Sequence, residues 1–145
     1  MPPLLHLALL DPRLNKLRYG AAIIMFLSIV VTGSIPGARA GVGHYAPGMV
    51  LHSLAYATLA LLWFTASRGS AASRSLAAVL AIAVMGAIDE SVQSLFPYRG
   101  ADVNDWLVDV SAAVVTCAIL WLVLPKAELV RKQSGAKAAL QRARR

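Results

Sequence analysis

Four runs of apolar residues dominate the chain, each close to the roughly 17–25 residues that a helix needs to cross a hydrocarbon core. The first covers about Tyr19 to Ser34 and stops near Pro36-Gly37, and the second covers about Met49 to Ala66, between Pro47 and Arg68-Gly69. A third, about Ser75 to Leu95, halts at Pro97, which cannot continue a helix. The fourth, about Val103 to Leu124, opens on Asp102 as an N-cap and meets Pro125 as its stop. Strict alternation of apolar and polar residues is absent, which argues against a membrane barrel. The pattern predicts an all-α protein, a four-helix transmembrane bundle.

Composition supports a bilayer as the solvent. The chain of 145 residues is 58% hydrophobic and 14% charged, with a mean hydropathy of +0.64, against about 45–50% apolar residues in a soluble domain. No Pro/Gly/Ser-rich linker or fixed-period repeat divides it, so one membrane domain over 19–124 is expected, between an N-terminal segment (1–18) and a basic tail (125–145). The single cysteine, Cys117, falls inside an apolar run and reads as a small core side chain. Trp63, Trp106 and Trp121 lie near span ends, where interfacial anchors are expected. Gly86 with Ala83 and Ala87, and Ala112 with Ala113 and Thr116, are small enough to let helices approach closely.

Basic residues then orient the spans, because Lys and Arg near span ends stay in the cytoplasm. Arg13, Lys16 and Arg18 precede the first span, and Arg68 and Arg74 separate the second from the third. Lys126, Arg131, Lys132, Lys137, Arg142, Arg144 and Arg145 follow the fourth, whereas the other side holds only Arg39 and Arg99. Both termini are therefore expected in the cytoplasm, in a multi-pass protein of the cell membrane. The pI near 10.2 reflects this topology signal and does not indicate nucleic-acid binding. An alternative reads Arg13 to Ala40 as a signal peptide with Ala38-Arg39-Ala40 as its cleavage site, which would remove the first span.

With that orientation Asp89, Glu90, Asp102, Asp105 and Asp109 share the outer side, leaving Asp11 and Glu128 to the cytoplasm. Asp89 and Asp109 each lie about 9 Å inside their spans at 1.5 Å per residue, so the antiparallel third and fourth helices bring them to one level. Gln93 stands one turn from Asp89, Asp105 one turn from Asp109, and His52 and Tyr56 enter the same half from the second helix. Ionisable groups at such depth are costly in lipid and mark function by default. A polar pocket is expected, roofed by Pro97-Tyr98-Arg99 and built from His52, Tyr56, Asp89, Glu90, Gln93, Arg99, Asp105 and Asp109.

The run Asp89-Glu90-Ser91-Val92-Gln93-Ser94-Leu95-Phe96-Pro97-Tyr98-Arg99, followed by Asp105 and Asp109, resembles the D-E-x-x-Q…P-x-R…D signature of VanZ-like membrane proteins. His52-Ser53-Leu54-Ala55-Tyr56 is similar to their H-x-x-A-Y segment. The chain departs from many relatives at Gly48-Met49, where they carry Asp-Lys, and at Ser111-Ala112-Ala113, where they carry a glycine. What the resemblance implies is a small integral membrane protein of a family associated with reduced susceptibility to the glycopeptide teicoplanin; it implies no reaction.

As chemistry, the set offers carboxylates, an imidazole, a carboxamide and a guanidinium. Arg99 can fork onto Asp89 or Asp105, or anchor the phosphate or carboxylate of a lipid-linked or cell-envelope molecule. Asp89, Asp105 and Asp109 are the candidates for a hard divalent cation, although no recognised metal or cofactor motif is present. Three functions follow: binding or modification of an anionic envelope component, noncatalytic help to another membrane complex, or a small transporter or proton relay. The cytoplasmic halves, such as Ala77-Ala78-Val79-Leu80-Ala81, hold no acid, which favours a one-sided pocket over a path. Beyond the bilayer no partner or oligomeric state is specified. His44 and Tyr45 read as an interfacial loop, and Asp102 as a cap.

Overall fold

The computed structural model describes residues 11–37 and 48–143, with side chains described up to 124. Arg39, the Ala38-Arg39-Ala40 sequence, His44, Tyr45 and the side chains of the basic tail lie outside the described residues. Four helices make up the described chain: α1 (Asn15–Ser34), α2 (Gly48–Ala66), α3 (Ala71–Gln93) and α4 (Val103–Ala143). All four are long and apolar enough to cross a membrane, over Pro12–Ser34, Gly48–Ala66, Ala71–Gln93 and Val103–Leu124.

The starts of α1 and α3 lie four residues earlier than the apolar pattern predicts, and capping is the reason. Asp11 accepts from the Arg13 amide at 2.9 Å and opens a short 3-10 turn, Pro12–Leu14, that feeds α1. Ser70 accepts from the Ser73 amide at 3.2 Å and starts α3, after a turn in which Gly69 takes φ 105°. Asp102 caps α4, accepting from the Asn104 amide at 2.8 Å. Pro125 does not end α4: the helix continues to Ala143. Proline disfavours an interior helix position by about 3 kcal/mol, but the Ala-, Lys-, Leu- and Arg-rich sequence beyond it favours helix at nearly every position.

α2 packs against all three other helices, most extensively α4, and so forms the centre of the bundle. Ala22 and Phe26 of α1, Leu59 and Ala60 of α2, Ile82 and Met85 of α3 and Ala113 of α4 form one buried apolar cluster. Phe64, Ala78 and Cys117 form a second. Small residues recur in both because helices in lipid associate by close van der Waals contact, without a hydrophobic gradient to drive them. Large apolar side chains point outward instead: Ile24 is 68% exposed and Leu122 74%, whereas Asp89 and Asp109 are 0% exposed. Charge inside and hydrocarbon outside is the distribution of a protein dissolved in lipid.

At the end where α1 starts and α2 finishes, Arg18 acts as a latch. Its Nη1 donates to the carbonyls of Asp11 and Thr65, both at 3.1 Å, and to Asn15 Oδ1 at 3.2 Å. The Thr65 carbonyl lies in the last turn of α2, where a cation complements the helix dipole. Tyr19 adds a hydroxyl contact of 3.1 Å to Ser67 and an edge-on packing against Trp63.

Candidate functional site

The opposite end of the bundle, where α2 and α4 start and α1 and α3 finish, holds the acidic residues. α2 presents His52 and, one turn on, Tyr56, whose rings lie nearly parallel with centroids 6.0 Å apart. His52 Nδ1 stands 3.0 Å from Asp109 Oδ1, and its Nε2 stands 3.8 Å from Asp105 Oδ2. The Tyr56 hydroxyl donates to Asp89 Oδ2 at 3.1 Å. Adjacent positions on α2 thus bind α4 and α3 by their polar tips.

Glu90 and Arg99 make bonds that the sequence left open. Glu90 Oε2 accepts from the Asp102 amide at 2.6 Å, so this carboxylate ties the α3–α4 connection to α3. Arg99 Nη2 donates to Gln93 Oε1. Among the described residues its side-chain partner is thus the carboxamide of Gln93, where a fork onto Asp89 or Asp105 was expected, and its amide donates to the Phe96 carbonyl at 3.0 Å. Tyr98 donates from its hydroxyl to the Ser34 carbonyl at 2.5 Å and fastens the same connection to α1.

Three carboxylates remain incompletely bonded. Among the described residues Asp89 Oδ1, Glu90 Oε1 and Asp109 Oδ2 are buried without a hydrogen-bond partner, as is Arg99 Nε. An unmet buried polar atom costs about 1–3 kcal/mol, more when charged, so four in one region demand a reason. Among the described residues no group of three or more His, Cys, Asp or Glu side chains is arranged to hold a metal ion.

A cavity of about 360 Å³ lies between α1 and α2, and Asp89 and Arg99, but not Glu90 or Asp109, are among its lining residues. Met25, Ile29, Leu51 and Ala55 give it apolar sides; His52, Tyr56, Asp89, Gln93 and Arg99 give it a polar end. Gly33 borders that end: a Cβ there would lie at contact distance, 3.5 Å from Gln93 Nε2 and 3.9 Å from both Arg99 Nη2 and Asp89 Oδ1. The contribution of α1 escaped the sequence reading, since α1 brings no ionisable group to this end. Its only sequence trace is Ser28, Thr32 and Gly33 on one face of an otherwise apolar stretch.

Trp106 makes contacts that the sequence pattern does not specify. Its indole N–H donates to the Ala83 carbonyl at 2.9 Å and its ring lies against Gly86, so it also joins α4 to α3. Buried Cys117 packs in the second apolar cluster.

Four helices long and apolar enough to cross a membrane, packed around buried carboxylates and a histidine, fit a small multi-pass membrane protein. The chain belongs to the VanZ/LLP1 family, whose model matches residues 12–124, all four spans included. No curated protein and no solved structure matches it.

Proposed function

We propose that this VanZ-family protein binds an amphiphile with a phosphate or carboxylate group, a lipid-linked or cell-envelope component, in the cavity between α1 and α2. The observation that carries the reading is the cavity's division into apolar sides and a polar end where Arg99 has an unpartnered buried Nε. A guanidinium held by a neutral carboxamide keeps its charge available, whereas one forked onto a carboxylate would not. The volume falls within the roughly 300–1,000 Å³ of small-molecule sites.

Arg99 anchors the anion, Gln93 orients the guanidinium, and His52, Tyr56 and the carboxylates shape the polar end. With both termini in the cytoplasm, the site faces the outer leaflet. The buried apolar cluster of Leu59, Ala60, Ile82 and Ala113 separates it from the Arg18 end, which favours a one-sided pocket over a transport path. A noncatalytic helper in a membrane complex is the second reading. The internal pairings of His52 with Asp109 and Tyr56 with Asp89 favour it, because they make part of the cluster a packing device.

Lipid mass spectrometry of the full chain, extracted gently from the membrane, tests the proposal. A retained phosphate- or carboxylate-bearing amphiphile in the wild type, depleted in Arg99→Gln and Gly33→Leu at equal protein level, is the expected result. Identical lipid profiles in all three proteins would remove the binding reading and leave the helper.

A further inference from the structure

The polar end of the cavity has a second half that an anion alone does not satisfy. Asp89 is 0% exposed, and only one of its oxygens is used, by Tyr56. Its Oδ1 is unpartnered, borders the cavity, and lies 3.9 Å from the Cβ position of Gly33, the same spot that Arg99 Nη2 approaches to 3.9 Å. A buried acceptor and buried donors thus flank one small space. Gln93 adds a donor on the same side, its Nε2 3.5 Å from that position.

A ligand carrying only an anion would use the donors and bring negative charge against a buried carboxylate, a repulsion amplified away from water. A ligand with a donor beside its anion satisfies both halves. A primary ammonium is the strongest such donor: it offers three N–H groups and opposite charge to Asp89.

We infer that the ligand is a zwitterionic aminophospholipid, its phosphate against Arg99 and Gln93, its ammonium against Asp89 Oδ1, and its acyl chain along Met25, Ile29 and Leu51. The inference rests on the binding reading above and adds the amine to it. The apolar sides select a lipid over a free zwitterion, since hydrocarbon lines the route to the polar end. Gly33 is the position that admits the headgroup.

The test is a competition read by native mass spectrometry, on the full chain in nanodiscs containing equal amounts of phosphatidylethanolamine, phosphatidylcholine and phosphatidylglycerol with matched acyl chains. Phosphatidylethanolamine should be retained about tenfold over each rival, the scale of one charge-assisted hydrogen bond. Phosphatidylcholine keeps the positive charge and loses the N–H groups; phosphatidylglycerol keeps hydroxyl donors and loses the charge. Asp89→Asn should abolish the preference while phosphate-dependent retention persists. Arg99→Gln and Gly33→Leu should lower retention of all three. Equal retention of the three lipids by the wild type, still lost in Arg99→Gln, overturns the amine and leaves the binding reading. Retention unaffected by Arg99→Gln and Gly33→Leu overturns both. The wild-type comparison needs no variant to fold.

Discussion

Tyr56 has one proton to donate and gives it to Asp89, at 3.1 Å and with its ring fully buried. Removing the hydroxyl leaves Asp89 with both oxygens unmet, so Tyr56→Phe should lower stability by about 1–3 kcal/mol although the ring and its packing are kept. Unfolding in mixed micelles measures this, and Asp89→Asn completes a double-mutant cycle in which the two losses are less than additive. Additive losses would mean that the bond contributes nothing. Much of this residue-scale arrangement was legible in the sequence. His52, Asp89 and Asp109 announce themselves as ionisable groups at matched depth in lipid. The partner of Arg99 was not legible, because its reach depends on how the chain turns after Phe96, and a carboxylate partner looked equally good on paper. Gly33 was invisible for the opposite reason: its contribution is an absent side chain.

Helices α3 and α4 meet so closely at Gly86 that the position tolerates little more than hydrogen. A Cβ there would lie 3.0 Å from Trp106 Cδ1 and 3.2 Å from Asp109 Oδ2. Gly86→Ala gains helix propensity, by about 1 kcal/mol, but forces Trp106 or Asp109 to shift, an overpacking cost of about 1–3 kcal/mol. The net expectation is destabilisation with altered Trp106 emission. Gly20→Ala is the control, since nothing lies within 4 Å of its Cβ position, and it should be neutral or stabilising. Equal effects at the two glycines would refute the close approach. Small residues on a helix face signal such packing from sequence, but which ring covers them does not follow from spacing. Helix ends were less legible, because Ser70 and Asp11 extend α3 and α1 by capping where hydropathy has already fallen, and the helix-forming residues beyond Pro125 outweigh its stop signal. Cleavage after Ala40 bears on the same scale, for it would remove α1 and with it one wall of the cavity. The mature protein should therefore retain α1, and an intact mass starting at Gly41 would contradict this.

For the whole molecule, four crossings put both ends of the bundle's chain on one side, and the remaining question is which side. The two connections differ in charge. The α2–α3 turn carries Arg68 and the first turn of α3 carries Arg74, and α1 opens with Lys16 and Arg18, whereas the α3–α4 connection carries Arg99 alone, with its guanidinium held on Gln93. A basic residue folded onto a partner still counts when the chain inserts, so the bias rests on numbers near the span ends and favours the α2–α3 turn inside. Impermeant maleimide labelling reads this directly in a Cys117→Ser background, which removes the native thiol. Gly100→Cys places a thiol on the α3–α4 connection, where the position is exposed and a Cβ meets nothing within 4 Å. Ala72→Cys places one in the first turn of α3, also exposed, without altering the charges that set the topology. Intact cells should label Gly100→Cys at once and Ala72→Cys only after permeabilisation. The reverse pattern would turn the cavity toward the cytoplasm: the pairings of His52 and Tyr56 would stand, but the ligand would then come from the inner leaflet.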